Sequence, residues 1–358
     1  LAWMDEAYLG KYEAIGLDSE IKLQKPFEKP IEVTHKYSIS STESEENNTY
    51  LSYNTVIETA LDEKLYLAFD ILDYALVSAP GAPLKQALID AGIGSEITGG
   101  YDSGTLQPVF SVIAKNTNPQ EKEHFLAVIR ETLEGLVKNG LNKKSLLAGI
   151  NSSEFRYREA DFGHFPKGLL YGIQCLDSWL YDDMRPFLHL EALDTYRFLK
   201  EQVETDYFEQ LIQKYLLNNR HASVVIIEPE KGLNAKNEAA LEKKLAEYKA
   251  GLSEDEIRKL IADTKHLKEY QETPSPKEDL EKIPMLARSD MKKEAAPFYN
   301  TELSVKGIPV VHHDIYSNGI IYLTMLFDIA HIPAEDIPYL GVLKAVLGYV
   351  DTKNYSYA

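Results

Sequence analysis

Cysteine is nearly missing from this chain. Cys175 stands alone, which excludes an internal disulfide framework and a zinc site built on thiolates, and fits a reducing compartment. Long apolar runs are missing as well. None approaches the ~20 residues that a membrane span needs. The opening Leu1-Ala2-Trp3-Met4-Asp5-Glu6 is acidic and does not read as a signal peptide. Basic residues are in deficit, with 38 Lys and Arg against 56 Asp and Glu, for a formal net charge of −18 and a pI near 5.0. That balance argues against nucleic acid, where Lys and Arg must neutralise phosphates. It is compatible with cationic peptide partners, though an acidic surface more often serves solubility alone.

Metal-binding spacing is absent too. The nine histidines are His35, His124, His164, His189, His221, His266, His312, His313 and His331. None falls in H-E-x-x-H or H-x-x-E-H, the spacings that put two imidazoles and a carboxylate base on one helix face. The one cluster, His312-His313-Asp314, reads as strand. Adjacent strand residues point to opposite faces, so these two imidazoles do not share a metal. No catalytic, cofactor-binding or metal-ligating residue is therefore assigned from the sequence.

What is present is an ordinary globular composition of 358 residues, 44% hydrophobic and 26% charged, enough for about two or three domains. The pattern predicts a helix from Asp5 to Ala14 and an extended connector over 24–30, where Pro26 and Pro30 fix φ. Ile31–Ile39 and Tyr50–Ile57 alternate as strands. Leu65, Phe69, Leu72, Ala75 and Leu76 mark an amphipathic helix, and Pro83 opens the next one. Gly92–Gly104 reads as a glycine-rich turn region, followed by a strand over Gln107–Ala114. Helices are predicted over 119–138, 142–158, 168–181, 189–201 and 205–218, then a strand over His221–Ile227. Further on come strands over Thr301–His312 with a turn at Gly307-Ile308-Pro309, a strand over Ile320–Ile329, and a helix over Ala334–Val350. Tyr322-Leu323-Thr324 echoes Tyr50-Leu51-Ser52, which suggests that the last body begins like the earlier one.

The most informative tract is 234–290. Leu241, Leu245 and Tyr248 precede a break at Gly251, and Ser253-Glu254-Asp255-Glu256 then forms a capping box. Ile257, Leu260, Ile261, Thr264 and Leu267 follow at helical spacing. Both helices are rich in Lys and Glu and carry thin apolar stripes. The pair cannot bury enough surface to fold alone, so it reads as a strap between larger bodies.

Other motifs fail on context. Gly92-Ile93-Gly94 nears the dinucleotide fingerprint, but Ile97 replaces the third glycine and a helix precedes it where a strand is needed. It reads as a turn entering a sheet. Asp161-Phe162-Gly163 has no accompanying catalytic loop. Arg156-Tyr157-Arg158 reads as a solvated helix edge.

The order of segments resembles the pitrilysin/insulinase family of zinc metalloendopeptidases, in its presequence-protease branch. The likeness is carried by Leu17-Asp18-Ser19-Glu20-Ile21 with Gln24-Lys25-Pro26-Phe27, by Thr49–Asn54, and by Leu76–Leu84 with Gly99-Gly100-Tyr101. Phe162–Gly168, the helical strap, Gly307-Ile308-Pro309, His312-His313-Asp314 and Ser317–Ile320 complete it. It covers nearly the whole chain. No single motif is diagnostic, but the ordered set is specific.

The resemblance implies an α+β fold: a pitrilysin-type domain with an antiparallel-rich sheet packed with helices, a helical-hairpin linker, and the truncated start of a second similar domain. It implies 1–23 as the tail of a preceding catalytic domain, 24–232 as the second of four pitrilysin-like domains, 233–293 as the linker, and 294–358 as the start of the third. The family carries H-x-x-E-H in its first domain, where zinc activates a water and the Glu acts as base. No such ligand maps here, so zinc belongs to the parent protein only and this chain is expected to be an inactive internal portion. The implied partners are unfolded peptides and the remaining domains, without nucleic acid or membrane, and with a homodimer through 294–358 left open. The cytoplasm is the first expectation for location and an organelle matrix the alternative. A catalytically inactive relative, acting as partner subunit or peptide-binding scaffold, stays open beside the enzyme. A third, weaker reading is a stand-alone α/β binding module with a helical arm.

Overall fold

The computed structural model describes residues 2–13, 15–283, 285–295 and 297–355. It is α+β. Two compact units emerge, one of residues 1–37, 42–230 and 320–358, the other of 38–41 and 231–319.

The first unit opens with the short helix α1 (Ala2–Ala7) and a 3-10 turn at Leu9–Lys11. The helix thus lies earlier than the sequence pattern placed it. It has no buried residue, so no packing lengthens it; Ala14, the predicted end, lies outside the described residues. An extended connector leads to β1 (Ile31–Ile39) and β2 (Thr49–Val56), both where alternation predicts them. Next come α2 (Glu63–Asp73), widened into a π turn at Tyr74–Ser78, and α3 (Pro83–Asp90), with its proline at the helix start. After β3 (Glu96–Asp102) and β4 (Val109–Thr117) the chain turns helical, with α4 (Lys122–Asn139), α5 (Lys143–Glu159), α6 (Lys167–Trp179), α7 (Leu193–Gln202) and α8 (Tyr207–Leu211). A second π turn, Ile212–Leu217, precedes β5 (Ala222–Lys231). Side-chain caps fix two helix starts: Asp62 accepts from the N–H groups of Lys64 and Leu65, and Asn142 from those of Lys144 and Ser145.

The five strands form one sheet in the order β1-β5-β2-β4-β3. β2 runs antiparallel to both β4 and β5, and β3 antiparallel to β4. The register lines up rows that point inward: Ile226–Leu51–Ala114–Ile97, Val224–Tyr53–Val112–Gly99 and Ala222–Thr55–Phe110–Tyr101. These rows meet Phe69, Leu72, Leu76, Phe125 and Ile129 from the helices in one hydrophobic core. Phe69 sits at the centre, with its ring 5.7 Å from Tyr101, 6.2 Å from Phe110 and 5.7 Å from Tyr215. A bulge in β4 puts Thr49 opposite Thr117 while Leu51 faces Ala114. The extra residue, Asn116, takes a left-handed φ of 58°, which asparagine tolerates.

β3 corrects the expectation of a glycine-rich turn region over 92–104. Only its two ends leave the strand: Ser103 and Gly104 enter the bend after β3, and at the entry Gly92 and Gly94 both have positive φ, where a side chain at Gly94 would strike the Lys115 carbonyl at 2.5 Å. Gly99 is there for packing. A Cβ on it would lie 2.8 Å from Cγ1 of Val77, so the absent side chain lets the π turn after α2 sit against the sheet. Gly100 faces the other way, with nothing within 4 Å of such a Cβ.

In the second unit, α9 (Leu233–Ala250) and α10 (Glu254–Glu272) form the expected hairpin, and the capping box is in place. Ser253 Oγ accepts from Glu256 N at 3.3 Å, and Ser253 N donates to Glu256 Oε2 at 2.7 Å. α11 (Lys277–Leu280) follows, then β6 (Asn300–Val305) and β7 (Ile308–His313), paired antiparallel. The turn between them is at Lys306 and Gly307, both at positive φ, so Ile308 and Pro309 belong to β7. In the first unit, residues 321–329 form no strand, although the sequence pattern predicts one over Ile320–Ile329. A strand is held by ladder partners, and among the described residues this segment has none; Leu326 is 94% exposed. The echo between Tyr322-Leu323-Thr324 and β2 therefore does not extend to secondary structure. Last comes α12 (Ile337–Val346).

Two contrasts test this architecture. Gly99→Ala should cost about 1–3 kcal/mol through overpacking, whereas Gly100→Ala should leave the urea midpoint unchanged or slightly higher; equal effects would remove the close-packing account. Gly251, at the end of α9, has an ordinary φ of −82°, and its N–H donates to the carbonyls of Glu247 and Tyr248. Gly251→Pro should therefore lower the hairpin's helicity by circular dichroism, and Gly251→Ala should not.

Candidate functional site: the uncovered face of the sheet

Helices cover one face of the sheet. The other face is built from the alternate residues of the same strands, and these stay half-exposed: Ser52, Asn54, Ser111, Ile113, Thr98, Gly100, Ser223 and Val225. Register sets them in rows, Val225–Ser52–Ile113–Thr98 beside Ser223–Asn54–Ser111–Gly100. Asn54 ties the polar row together. Its Oδ1 accepts from Ser52 Oγ at 2.8 Å and from Ser111 Oγ at 2.7 Å, and its Nδ2 reaches Ser223 Oγ at 3.4 Å. Near the rim, Lys115 Nζ donates to Glu96 Oε1 at 2.7 Å. Small hydroxyl and amide groups and few charges suit contact with a peptide chain of varied sequence. They offer no activated nucleophile.

Buried polar clusters on the helical side are structural. His189 stacks on Tyr66 with ring centroids 3.8 Å apart, while Tyr66 Oη donates to Asp177 Oδ2 at 2.9 Å. The carboxylate thus serves the phenol and not the imidazole, so this is no relay for activating a nucleophile. Burial, aided by Arg185, pushes the His189 pKa down to about 4, against a backbone bond at Ala60 that raises it, and its Nε2 has no hydrogen-bond partner. Arg185 Nη2 donates to the Leu61 carbonyl at 2.8 Å, and Ser178 Oγ donates to the Arg185 carbonyl at 2.7 Å. The group staples the segment after α6 to the start of α2. Ser153, Asp70 and Tyr196 form a second buried set, with Ser153 Oγ 3.0 Å from both Asp70 Oδ2 and Tyr196 Oη. Burial, more than any neighbour, pushes Tyr196 up to about 12.

Zinc chemistry finds no matching donor set here. The described residues hold no group of three or more His, Cys, Asp or Glu side chains able to gather round a metal. His312 and His313 are consecutive in β7 and exposed, which directs them to opposite sides. His189 and His221 are buried; the other seven histidines are at the surface. No step is therefore routed through a metal on these residues. Gly163 N donates to Asp161 Oδ1 at 2.9 Å, which makes Asp161-Phe162-Gly163 a local turn. Arg158 pairs with Glu154 at 2.7 Å, and Tyr157 Oη donates to the Leu190 carbonyl at 2.6 Å, so this cluster is anchored within its own fold. Sequence reasoning missed the open-face network, whose members come from three strands and meet only through register.

Because the unfolded chain's histidines titrate near 6.5 and His189 near 4, only the unfolded state takes up this proton between those values. His189 therefore makes stability fall as pH drops from about 6.5 to about 4. His189→Phe should flatten that part of the urea-midpoint profile relative to the unsubstituted chain; an identical slope in both would show that His189 is not the group responsible.

Comparison with known proteins places these features. Residues 1–152 match the family description "Peptidase M16 inactive domain", and residues 227–358 match the region described as associated with subfamily C of the same peptidase family. Protein HypA of Clostridium perfringens is 43% identical over all of this chain and 37% of its own length. Presequence protease 1, chloroplastic/mitochondrial, of Arabidopsis thaliana is 30% identical over 98% of this chain and 33% of its own length. The chain thus spans about a third of the curated relatives it matches. Among solved structures, the inactive peptidase domain of a zinc protease from Bordetella parapertussis aligns at a TM-score of 0.41 and 12% identity, over 54% of this chain and 95% of that one. On the two matched regions and the presequence-protease relatives, the chain belongs to the pitrilysin-type M16 peptidase family and comprises its inactive domain and the associated region of subfamily C.

Proposed function

We propose that this chain is a non-catalytic internal portion of a zinc metalloendopeptidase that degrades unfolded peptides in a closing chamber. The observation that carries this reading is the sheet buried on one face only, with a largely polar, half-exposed second face. Such a surface suits a chamber wall that must touch many sequences without binding one tightly. Its place within a family of peptidases, among relatives named presequence proteases, supports it.

In this reading 1–23 ends the preceding catalytic domain, 24–232 forms the wall, 233–293 is the hairpin tether, and 294–358 starts the next domain. Zinc and its ligands lie in the parent outside this chain. Unfolded peptides are the substrates, and the remaining domains are the partners. An apolar stripe along α6 and its C-cap is consistent with such partners: Leu169, Ile173 and Leu180 are all more than half exposed, as surfaces awaiting a neighbour are. A second copy pairing through 294–358 is the other candidate for that region. No helix among the described residues is long and apolar enough to cross a membrane; the bacterial cytoplasm is the proposed location, with an organelle matrix as the alternative.

The test is peptide hydrolysis by the full-length parent and by this chain alone. The parent should cleave an unfolded peptide and lose that activity to a chelator, and this chain should be inert. Chelator-sensitive hydrolysis by this chain would overturn the assignment. A parent that binds peptides without cleaving them, and whose H-x-x-E-H is degraded, would make it a scaffold. In an active parent, Gly251→Pro should slow turnover by hindering opening and closing; unchanged turnover would remove the tether's role in motion.

A further inference from the structure

We propose that a cleft at one end of the five-stranded sheet is a binding site for a peptide carboxylate, distinct from the open face. Its walls are the connector at Leu23–Pro26, the turn at Glu58 and Thr59 after β2, and the segment 214–221 leading into β5, and they enclose about 640 Å3. That volume is within the usual range of small-ligand sites, roughly 300–1,000 Å3.

The walls are fixed without a ligand. Gln24 N donates to Gln107 Oε1 at 2.7 Å, and Gln107 Nε2 donates to the Gln24 carbonyl at 3.2 Å. Asn219 Nδ2 donates to the Val56 carbonyl at 2.7 Å, and its Oδ1 accepts from His221 N at 2.8 Å. The buried His221 ring meets Phe27 edge-on at 4.7 Å, and burial lowers its pKa, so it presents a neutral wall. A site held this way pays little ordering cost on binding.

Charge selects the ligand. The chain carries −18, yet the cleft is lined by three cations, Lys25, Lys214 and Arg220, against one carboxylate, Glu58. Glu58 is already engaged, accepting from Tyr215 Oη at 3.3 Å with Lys214 Nζ at 3.8 Å. Lys25 and Arg220 have no ion-pair partner among the described residues. Arg220 offers the planar fork that fits a carboxylate, and Asn218, also in the lining, adds an amide able to pair with a peptide group. The fixed negative charge of Glu58 favours a monoanion over a dianion. Glu58 also holds a φ of +40°, a strained conformation for a residue other than glycine, and such strain gathers at functional sites.

The ligand class rests on the peptidase reading, since every peptide end and every cleavage product carries a free α-carboxylate; an acidic side chain is the other source of the same chemistry. The experiment titrates the 358-residue chain by calorimetry with acetyl-Ala-Ala-Ala acid, its amide, and acetyl-Ala-Glu-Ala amide. The acid should bind at least tenfold more tightly than the amide, and Lys25→Gln with Arg220→Gln should remove that preference while circular dichroism stays unchanged. Binding of the glutamyl amide in place of the acid would keep the carboxylate site and assign it to side chains. Equal binding of acid and amide, no binding of any probe, or full retention in the double variant would overturn the proposal. No hydrolysis is read, so failure of the peptidase reading would show separately, in the parent's activity.

Discussion

Alternate residues of β2, β4, β3 and β5 place Leu51, Val112, Ile97 and Ile226 beneath the helices and leave Ser52, Asn54, Ser111 and Ser223 half-exposed. That one-sided burial is the constraint on which the rest depends. Because strand side chains repeat with period two, a slip of one residue in register would bury the serine row and expose the core. Register, helix packing and the polar face are therefore one specification. Gly99 shows how tight it is: only a missing side chain lets Val77 approach.

The same constraint explains why the chemistry looks sparse. The titratable groups on the helical side serve as staples: His189 against Tyr66, and half-buried Asp70 with Ser153 and Tyr196. None combines access, a paired base and an orienting partner. What remains for function is surface, in the form of a broad polar face, a fixed cationic cleft and a hairpin whose helices bury no residue. In the proposed reading these are parts that hold, guide and tether.

Much of the fold was legible in the sequence. β1 and β2 alternate, β5 is a β-branched run, Pro83 opens α3, and Ser253 with Glu256 announces α10 through a local hydrogen-bond pattern that needs no tertiary context. The failures have physical causes. Gly99-Gly100 reads as a turn from local rules, but β3 is a strand because a distant valine needs the space. Residues 320–329 have strand composition, but composition cannot supply a ladder partner. The π turns at Tyr74–Ser78 and Ile212–Leu217 leave no mark in hydrophobic spacing. The open-face network and the cleft were not legible at all, because residues far apart in sequence meet there only through register and packing.

The central claim is that the uncovered sheet face meets unfolded peptide. The most direct measurement places a photo-crosslinking residue at Ser111 on that face, and separately at Glu131 on the exposed side of α4, in the full-length parent, with an unfolded peptide and a chelator to stop cleavage. The account predicts capture of peptide from Ser111 and none from Glu131. Capture from Glu131 alone, or equally from both, would contradict it.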